Sequence, residues 1–510
     1  MSQALIAALQ DPARYPHPTG DIRVIETHIS WVVLTGPFAY KIKKPVDFGF
    51  LNFTELAARK HFCEEELRLN QRLAPDLYLE VLPIGGTAEA PRLGEDGEPI
   101  EYALKMSEFG QDQLLAEVQA RGELTDAHID ALARQIGDFH LQTPAVPADH
   151  PLSTPEAIVA PMRQNFEQIR PLLTDDADRV QLDALEAWTE SSIQRLMPLL
   201  QKRCDLGAIR ECHGDLHLGN ATLINGEVLL FDCIEFNEPF RLIDIASDAA
   251  FLAMDLEDRG LRSQARRFVN GWLERTGDYD ALGLLNLYKA YRALVRAKVN
   301  AFRLHQEQDP VERAVIMRRY RSYANLAESY SAIPLRFFII TEGVSAVGKS
   351  HVALRLVESF GAVRLRSDIE RKRLAPDDLY SQAATQSTYA RLHDLARTAL
   401  QAGFPVVADA TYLRRVQRDE ARRIATETGV PFLILACEAP DAVIEQWLAQ
   451  RHATGADPSD ATMDVVRAQQ TSREPLDEDE LIACKRVQTH LASDIDNLVA
   501  VIRQRLGQCQ

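Results

Sequence analysis

The feature that most constrains the fold is an apolar segment that runs directly into a glycine loop. Residues 335–341 read LRFFIIT and predict a buried strand, and residues 343–350 read GVSAVGKS ahead of a helical stretch. Further strand candidates at 361–365, 404–408 and 431–437 alternate with helices, which is typical of a parallel α/β sheet. Glycines let backbone N–H groups turn toward phosphate oxygens at a helix N-terminus. We therefore predict a phosphate-binding loop, or P-loop, made of Gly343, Val344, Ser345, Ala346, Val347, Gly348, Lys349 and Ser350.

Several side chains in and after this loop suit a nucleotide with its metal. Lys349 would reach the β- and γ-phosphates, and the Ser350 hydroxyl would ligate Mg²⁺. Asp368 follows a predicted strand in RSDIERKR, and Asp409 ends the apolar strand of VVADAT. The carboxyl ends of parallel strands meet at the edge of the sheet where ligands bind. The alternative, that both acids are helix N-caps, stays open.

These motifs resemble those of the P-loop kinases of the gluconate kinase, zeta-toxin, chloramphenicol phosphotransferase and polynucleotide kinase type, over about 335–500. The resemblance implies that Asp368 accepts the proton of the substrate hydroxyl and that Arg371 clamps substrate or phosphate. It also implies that Asp409 holds water on Mg²⁺ and that Arg451 is the lid arginine, although Arg451 could instead belong to a solvated helix face. Ala346 stands where many such kinases have a third glycine.

A second constellation lies earlier in the chain. Residues 213–220 read HGDLHLGN, and residues 231–236 read FDCIEF after a predicted hairpin with an Asn225-Gly226 turn. In protein-kinase-like enzymes an aspartate orients the acceptor hydroxyl, an asparagine five residues later coordinates Mg²⁺, and a second aspartate holds the metal against the phosphates. Asp215, Asn220 and Asp232 occur in that order, and a turn alone does not explain all three.

This arrangement resembles the aminoglycoside phosphotransferase family, whose catalytic loop is HGDxxxxN and whose metal motif lacks the phenylalanine-glycine pair of protein kinases. The resemblance implies a strand lysine paired with a glutamate on the next helix. FAYKIKK offers Lys41 or Lys43 on one strand face, and helix 54–73 offers Glu64, Glu65 and Glu66, with the choice between Glu65 and Glu66 left open. No GxGxxG loop precedes the lysine strand.

The remaining pattern indicates a β-rich start and a helical remainder. Strands are predicted at 22–34, 38–42 and 101–106, and helices over about 112–203 and 258–330. Residues 101–108 would form the hinge beside adenine, whereas 288–298, with Tyr288, Arg292 and Arg296, is either an acceptor-binding surface or a solvated or inter-domain face.

The expected fold class is α/β and α+β. A bilobal protein-kinase-like domain would occupy 1–330, with lobes at about 20–108 and 109–330. A P-loop NTPase domain, with a parallel sheet flanked by helices, would occupy 335–510. The two domains would meet near residue 331.

Composition narrows the class of protein. The chain has 510 residues, a formal net charge of -17 and 46% hydrophobic residues, as expected of a soluble protein with several domains. This charge disfavours nucleic-acid and anionic-membrane partners, while a local basic groove stays open. The N-terminus lacks a signal-peptide pattern, and no apolar run is long enough to span a bilayer. The seven cysteines include no CxxC pair, so we expect neither a disulfide framework nor a zinc site and predict a cytoplasmic location.

We therefore predict an ATP-dependent kinase that uses ATP and Mg²⁺ to phosphorylate hydroxyl groups of small molecules, with activity in both domains. In a second interpretation the N-terminal domain is a non-catalytic binding or regulatory pseudokinase, which the missing glycine loop favours. In a third, the P-loop domain is an ATP-driven switch, which Asp368 and Arg371 disfavour. A polynucleotide 5′-hydroxyl stays open as an acceptor of the P-loop domain.

Overall fold

The computed structural model describes residues 2–49, 51–94, 97–332, 335–374, 381–454 and 461–507. These residues fold into two compact units, one made of 1–164 with 197–255 and the other of 165–196 with 256–510. The predicted boundary near 331 lies within the second unit, so the helices just before it share a unit with the predicted P-loop domain. The division at 1–330 and 335–510 stays a prediction. No helix in the described ranges is long and apolar enough to cross a membrane.

The first unit contains an antiparallel sheet of six strands in the order β1-β2-β3-β6-β4-β5. Its strands are β1 (Arg23–Glu26), β2 (Ser30–Leu34), β3 (Phe38–Lys43), β4 (Tyr78–Gly86), β5 (Pro91–Leu93) and β6 (Glu101–Ser107). Helix α2 (Leu56–Asn70) connects β3 to β4 and packs against β4 and β6. A helix inserted after the third strand is the arrangement expected of a kinase-like small lobe.

The prediction of one strand over 22–34 is wrong, because the chain turns back between β1 and β2. The Thr27 hydroxyl accepts the backbone N–H of Ser30 at 2.9 Å, and Thr27 N donates to the Ser30 carbonyl at 2.9 Å. Threonine side chains close such turns by bonding to nearby backbone groups. The apolar residues on both sides of the turn then pair as a hairpin, with Val24 opposite Val33.

Strand β3 has two differently covered faces. Tyr40 and Ile42 are buried in one core cluster with residues of α1 (Ser2–Ala8), whereas Ala39 packs in a second cluster with Leu104. Because side chains alternate along a strand, Lys41 and Lys43 lie on the same face as Ala39. Neighbouring α2 therefore decides which groups these two lysines meet.

Two short antiparallel pairs carry the HGDLHLGN segment. Strand β7 (Ile209–Glu211) pairs with β10 (Leu242–Asp244), and β8 (Ala221–Ile224) pairs with β9 (Glu227–Leu230). Asn225 and Gly226 have φ of 53° and 82°, as a two-residue hairpin turn requires. The predicted hairpin is confirmed.

The helical stretches expected over 112–203 and 258–330 are confirmed. Together with the shorter helices beside them, they are α3 (Leu115–Ala120), α4 (Asp126–Gln142), α5 (Pro155–Ile169), α6 (Asp176–Asp205), α7 (Glu238–Arg241), α8 (Ile245–Asp258), α9 (Arg262–Thr276), α10 (Leu282–Gln306) and α11 (Pro310–Ser329). Single 3₁₀ turns occur at Pro12–Arg14, Gln111–Gln113, Arg170–Leu172, Leu218–Asn220 and Tyr279–Ala281.

The second unit contains a five-stranded parallel sheet in the order β12-β13-β11-β14-β15. Its strands are β11 (Phe338–Glu342), β12 (Val363–Arg366), β13 (Val406–Asp409), β14 (Phe432–Glu438) and β15 (Cys484–Gln488). The helices that accompany it are α12 (Lys349–Phe360), α13 (Ser367–Leu374), α14 (Gln382–Gln401), α15 (Arg415–Thr428), α16 (Asp441–Thr454), α17 (Met463–Ser472), α18 (Glu478–Ile482) and α19 (Ala492–Gly507).

Strand β11 lies at the centre of this sheet and is buried along its whole length. The chain leaves β11 toward β12 and β13 on one side and later adds β14 and β15 on the other, so the strand order reverses beside β11. Such a reversal opens a crevice at the carboxyl ends of the strands. The predicted fold class, mixed α/β with a parallel P-loop sheet in the C-terminal part, is confirmed.

Glu211, at the end of β7, ties helix α2 to the strand that leads into the HGDLHLGN segment. Its carboxylate accepts from Arg68 at 2.7 Å, Arg72 at 3.3 Å and Arg241 at 3.2 Å. Burial alone would raise the pKa of Glu211, but the three guanidinium groups outweigh it and lower the pKa from 4.5 to about 2. The network holds α2 in register with the loop that follows β7.

We expect Glu211→Gln to lower the free energy of unfolding at neutral pH by on the order of 1–2 kcal/mol, which is the free-energy equivalent of this pKa shift reduced for the solvent that screens the partly exposed Arg68 pair. A carboxylate whose pKa falls on folding contributes its full stability above its unfolded pKa of 4.5. That stability is lost as the pH falls toward the folded value of about 2. Urea unfolding between pH 7 and pH 3 should show the gap between wild type and variant narrowing below about pH 4.5. A gap independent of pH would contradict this electrostatic account.

Candidate functional site

The first candidate site centres on Lys41, which projects from β3 toward two carboxylates. Its Nζ donates to Glu66 Oε1 at 2.6 Å and to Asp232 Oδ1 at 2.7 Å. Burial would lower the pKa of Lys41, but Asp232 and Glu66 outweigh it and hold the pKa well above its usual value. The structure therefore brings together a strand lysine, a glutamate of α2 and the aspartate that follows β9.

Lys43 lies deeper on the same face of β3. Its Nζ donates to Glu66 Oε2 at 2.7 Å and also bonds to Glu235, and its side chain is only 1% exposed. Burial raises the pKa of Glu235, whereas the two lysines hold the pKa of Glu66 below its usual value in spite of burial. Glu66 is thus shared by both lysines.

The choice between the candidate glutamates is settled by where their side chains lie. Glu65 accepts from Arg68 at 2.8 Å and lies 3.6 Å from Arg241, on the side of α2 away from the lysines. Glu64 lies 3.6 Å from Lys60 near the helix surface. Glu66 alone of these three adjoins Lys41 and Lys43.

The HGDLHLGN segment forms a tight loop around Asp215. Asn220 Nδ2 donates to the backbone carbonyl of Asp215 at 3.1 Å and to Asp215 Oδ2 at 3.3 Å. His217 Nε2 lies 3.3 Å from the same Oδ2, while His217 Nδ1 accepts the N–H of Gly219 at 3.0 Å. A Cβ at Gly219 would lie 2.9 Å from the His217 ring, which explains the glycine. The Asp215 carboxylate is held in one orientation and stays 34% exposed.

Asp248, fully buried in the first turn of α8, binds the backbone at the start of this loop. Its carboxylate accepts the backbone N–H groups of His213 at 3.1 Å and Gly214 at 2.9 Å, and it bonds to His140 Nε2 at 3.0 Å. Cys212, near both His140 and Asp248, points its thiol toward the Ile243 carbonyl at 3.5 Å. These contacts give the cluster of His140, Cys212 and Asp248 a structural role in the loop.

The β8–β9 hairpin brings Asn220 and Asp232 to the same end. Phe231 N donates to the Asn220 carbonyl at 3.0 Å, and His213 Nε2 donates to the Phe231 carbonyl at 2.8 Å. Asp232 itself has a left-handed φ of 65°, a conformation costly for a non-glycine residue and enriched at functional sites. The hydroxyl of Tyr78 lies 3.1 Å from its backbone N–H and accepts from it.

The second candidate site is the loop between β11 and α12. Gly343 and Gly348 have φ of 144° and 87°, and a Cβ on Gly343 would lie 2.7 Å from the Cys437 carbonyl oxygen. Ala346 has a left-handed φ of 59°, the conformation that a glycine would adopt at least cost. Lys349 begins α12, and its Nζ donates to the Val344 carbonyl at 2.6 Å. The predicted strand–loop–helix arrangement is confirmed.

A small pocket joins this loop to the ends of β12 and β13. Lys349, Ser350, Asp368 and Asp409 are among the residues that line it. Asp368 lies within the first turn of α13, and Asp409 is the last residue of β13, so neither is a helix N-cap residue. The N-cap alternative for these two acids is wrong.

The other predicted residues lie as follows. Arg371 lies on α13, and its Nη1 donates to Thr385 Oγ1 at 3.5 Å. Arg451 is a residue of α16, but its side chain lies outside the described residues. Tyr288 and Arg292 are 0% and 4% exposed on α10, so a solvated face is wrong for both.

Comparison with known proteins agrees with this geometry. Residues 51–285 match the model of the phosphotransferase enzyme family, and residues 338–476 match the model of the AAA domain. The part of the chain around the first candidate site is therefore similar to the phosphotransferase enzyme family and is hereafter called the phosphotransferase-family domain; the part around the second is similar to the AAA domain and is called the AAA domain. The first matched region contains Glu66, Asp215, Asn220 and Asp232, whereas Lys41 and Lys43 lie just before it, and the second matched region contains the P-loop.

Similar proteins match the chain over different lengths. An uncharacterized protein of Mycobacterium tuberculosis H37Rv is 29% identical over 476 residues, which cover 89% of this chain and 91% of that protein. A choline/ethanolamine kinase family protein from Mesorhizobium loti has 13% identity and a TM-score of 0.40, covering 65% of this chain and 97% of its own. A gluconokinase from Sinorhizobium meliloti 1021 has 19% identity and a TM-score of 0.27, covering 35% and 96%. The match to the mycobacterial protein therefore spans both domains.

Both domains contain oxygen donors of the kind that Mg²⁺ prefers. In the phosphotransferase-family domain these are the carboxylate of Asp232, which is 42% exposed, and the side-chain amide of Asn220. In the AAA domain, Asp409 Oδ2 is buried and has no hydrogen-bond partner among the described residues, and the Ser350 hydroxyl lines the same pocket. A buried carboxylate oxygen without a donor is costly unless a cation or its water completes it.

Sequence reasoning missed three contacts that hold the P-loop in place. Glu342, immediately before the loop, is fully buried and receives a bidentate contact from Arg473 at 2.7 and 2.6 Å. Ser345 N donates to Gln469 Oε1 at 2.7 Å, and Thr489 Oγ1 donates to the Val347 carbonyl at 2.6 Å. The partners are more than a hundred residues apart in the chain, so no local spacing could have revealed them.

In the phosphotransferase-family domain, we expect the two lysines of β3 to have different roles: Lys43 stabilises the fold and Lys41 binds the nucleotide. Lys43→Met leaves Glu235 and part of Glu66 buried without a cation, which should lower the free energy of unfolding by about 3–5 kcal/mol. Lys41→Met should instead weaken ATP binding about 10-fold or more, because one charge-assisted hydrogen bond to phosphate is lost. Urea unfolding measures the first effect. Titration of a non-hydrolysable ATP analogue into a Lys349→Ala background measures the second.

The comparison of the two variants is itself the control, since both remove one ammonium group from the same strand face. Equal losses of binding and of stability in Lys41→Met and Lys43→Met would contradict the separate roles.

Proposed function

We propose that the chain is a bifunctional ATP-dependent phosphotransferase with one Mg·ATP site in each domain. Each site would transfer the γ-phosphoryl group to an alcohol hydroxyl of a small molecule. The observation that carries this proposal is that two separate groups of residues each combine a phosphate-reaching lysine with carboxylate and other oxygen donors. In one domain they are Lys41, Asp215, Asn220 and Asp232, and in the other Lys349, Ser350, Asp368 and Asp409.

In the phosphotransferase-family domain, Asp215 is the group that accepts the proton. The acceptor oxygen forms a bond to the γ-phosphorus as the bond from that phosphorus to the β-phosphate oxygen breaks, and the hydroxyl proton passes to Asp215. Asn220 and His217 hold the Asp215 carboxylate in place for this role. Lys41, fixed by Glu66 at 2.6 Å, places positive charge where the phosphates of ATP would lie.

In the AAA domain, Asp368 has the corresponding role. Lys349 Nζ now donates to the neutral Val344 carbonyl, and a phosphate would offer it a charged and stronger acceptor. Bound Mg²⁺ would neutralise charge on the β- and γ-phosphates in both sites, held by Asn220 and Asp232 in the first and by Ser350 and the water on Asp409 in the second. Arg371 and Arg451 remain candidates for substrate or phosphate contacts.

A second candidate function makes the phosphotransferase-family domain a non-catalytic binding or regulatory module that does not transfer phosphate. The turn between β1 and β2 favours it, because it consists of Thr27, His28 and Ile29 and contains no glycine that could bring backbone N–H groups close to phosphate. The intact set of Asp215, Asn220 and Asp232 favours transfer.

The net charge bears on the class of acceptor, and the state of the cysteines bears on the cell compartment. The net charge of -17 favours small-molecule acceptors over nucleic acid. The six cysteines that the structure describes are free thiols, five of them buried, which supports a reducing, cytoplasmic location.

If both sites bind nucleotide, the intact chain should bind two Mg·ATP. Asp232→Ala should remove the site in the phosphotransferase-family domain alone, and Lys349→Ala should weaken the AAA site alone. The two variants change different residues in sites that have no residue in common, so their effects should add and the double variant should lose both. Calorimetric titration of the intact protein with a non-hydrolysable ATP analogue, with and without Mg²⁺, measures the stoichiometry.

Lys60→Ala, on the exposed part of α2, is the matched control and should leave the stoichiometry at two. A stoichiometry of one that Lys349→Ala abolishes and Asp232→Ala leaves intact would overturn the bifunctional proposal in favour of the second candidate. Two sites with phosphate transfer that Asp215→Asn abolishes would establish activity in the first domain.

A further inference from the structure

Helix α9 covers the free edge of the parallel sheet. Strand β12 is the outermost strand on its side, and Arg364 N, in that strand, donates to Asn270 Oδ1 of α9 at 2.8 Å. Asn270 is only 3% exposed, and its Nδ2 donates to Glu274 Oε1 at 2.7 Å. An unpaired strand edge needs such a cover. The sequence places α9 in the first predicted domain, yet it completes the sheet of the second.

Glu274, one turn further along α9, forms a buried ion pair with Arg364. Arg364 Nε donates to Oε1 at 2.7 Å and Nη2 to Oε2 at 3.2 Å, and both side chains are 10% exposed. The third nitrogen of the guanidinium, Nη1, donates to the backbone carbonyl of Ser350 at 3.1 Å. Burial would lower the pKa of Arg364, but Glu274 outweighs it and keeps the group charged. Glu274 thus reaches the first turn of α12 through one arginine.

A second arginine lies between Glu274 and the site. Arg366 Nη1 is 4.0 Å from Glu274 Oε2, and its Nε is 3.7 Å from Asp409 Oδ2. Asp409 Oδ2 is the buried oxygen that makes no hydrogen bond among the described residues. Arg366 is therefore shared between the carboxylate of α9 and the carboxylate that the proposed function assigns to the metal.

We propose that Glu274 is a positioning residue for the AAA site: by holding Arg364 and Arg366, it keeps the Arg366 charge from pairing fully with Asp409 and leaves that carboxylate to the metal. The inference rests on the proposed function of the site. Its consequence is that the AAA domain depends for its cation on a helix that precedes it in the chain.

The physical argument is a competition between two cations for one carboxylate. Opposite charges at 3.7 Å in a partly buried site attract strongly, and the attraction depends on what else neutralises the cation. With Glu274 ionised, Arg366 has two acids beside it. Without that charge, Asp409 becomes the stronger partner, and a divalent cation or its water must displace the arginine before it binds.

The test measures the Mg²⁺ dependence of nucleotide binding in the intact chain. An Asp232→Ala background silences the other site, and the probe is a non-hydrolysable ATP analogue titrated with Mg²⁺. Glu274→Gln keeps the size of the side chain and should raise the Mg²⁺ concentration at half-saturation about 10-fold, as for other residues that orient a metal ligand. Adding Arg366→Gln to Glu274→Gln should bring the midpoint back to the original value or below it, since the competing cation is then gone.

Glu358→Gln is the matched control. Glu358 of α12 accepts from Arg267 of α9 at 2.8 Å, so the substitution removes another ion pair made by α9, one that has no contact to Arg364 or Arg366. It should lower thermal stability and leave the Mg²⁺ midpoint unchanged. An equal rise of the midpoint in Glu358→Gln and Glu274→Gln would overturn the positioning role, as would an unchanged midpoint in Glu274→Gln.

Should Glu274→Gln fail to fold, Arg366→Gln alone decides. Removing the competing cation should lower the Mg²⁺ midpoint, and an unchanged or higher midpoint would overturn the inference. If adding Lys349→Ala to the Asp232→Ala background leaves binding of the ATP analogue unchanged, the proposed function of the site is overturned instead. If Lys349→Ala weakens analogue binding but Glu274→Gln leaves the Mg²⁺ midpoint unchanged, the inference about Glu274 fails and the proposed function of the site stands.

Discussion

A carboxylate removed from water must be neutralised by a partner, and this constraint organises both halves of the chain. In the first, Glu66 is fully buried and shared by Lys41 and Lys43. An unpaired charge at that depth would cost several kcal/mol, so strand β3 and helix α2 cannot separate without exposing the cluster to that penalty. The lysine that faces Asp232 is therefore held where it is by the stability of the lobe itself.

The second half meets the same constraint in a different fold. Glu342 pairs with Arg473 directly before the P-loop, Arg418 pairs with Glu480 beneath α15, and Glu274 pairs with Arg364 at the sheet edge. Each pair joins elements distant in sequence. Because the geometry of a bidentate arginine contact is strict, these pairs specify how the surrounding elements meet as well as neutralising charge. Two of these pairs hold the ends of the phosphate loop: Arg473 binds Glu342 directly before it, and Arg364 donates to the Ser350 carbonyl at its end.

The sequence predicted those elements whose own residues specify them, and it missed or misplaced those whose structure depends on neighbouring elements. Strands such as β11 and β13 are buried throughout and begin with an apolar run, so they were predictable from the sequence, with ends displaced by a few residues. Strand β4 was missed because it contains Pro83, and β15 because it is an edge strand with the polar sequence CKRVQ. The long strand predicted over 22–34 failed because a single threonine turn reverses the chain without the glycine that usually marks such a hairpin.

The sequence by itself determined the groups whose members lie within a few residues, because short loops hold them together whatever surrounds them. Asp215 with Asn220, and Gly343 through Ser350, belong to this class. It could not distinguish Glu65 from Glu66, since adjacent residues on a helix differ by a rotation that only packing against β3 selects. Nor could it place Glu274 beside Arg364, ninety residues away. Those choices belong to the tertiary structure, because a buried charge takes as its partner whichever opposite charge the packed elements bring within reach.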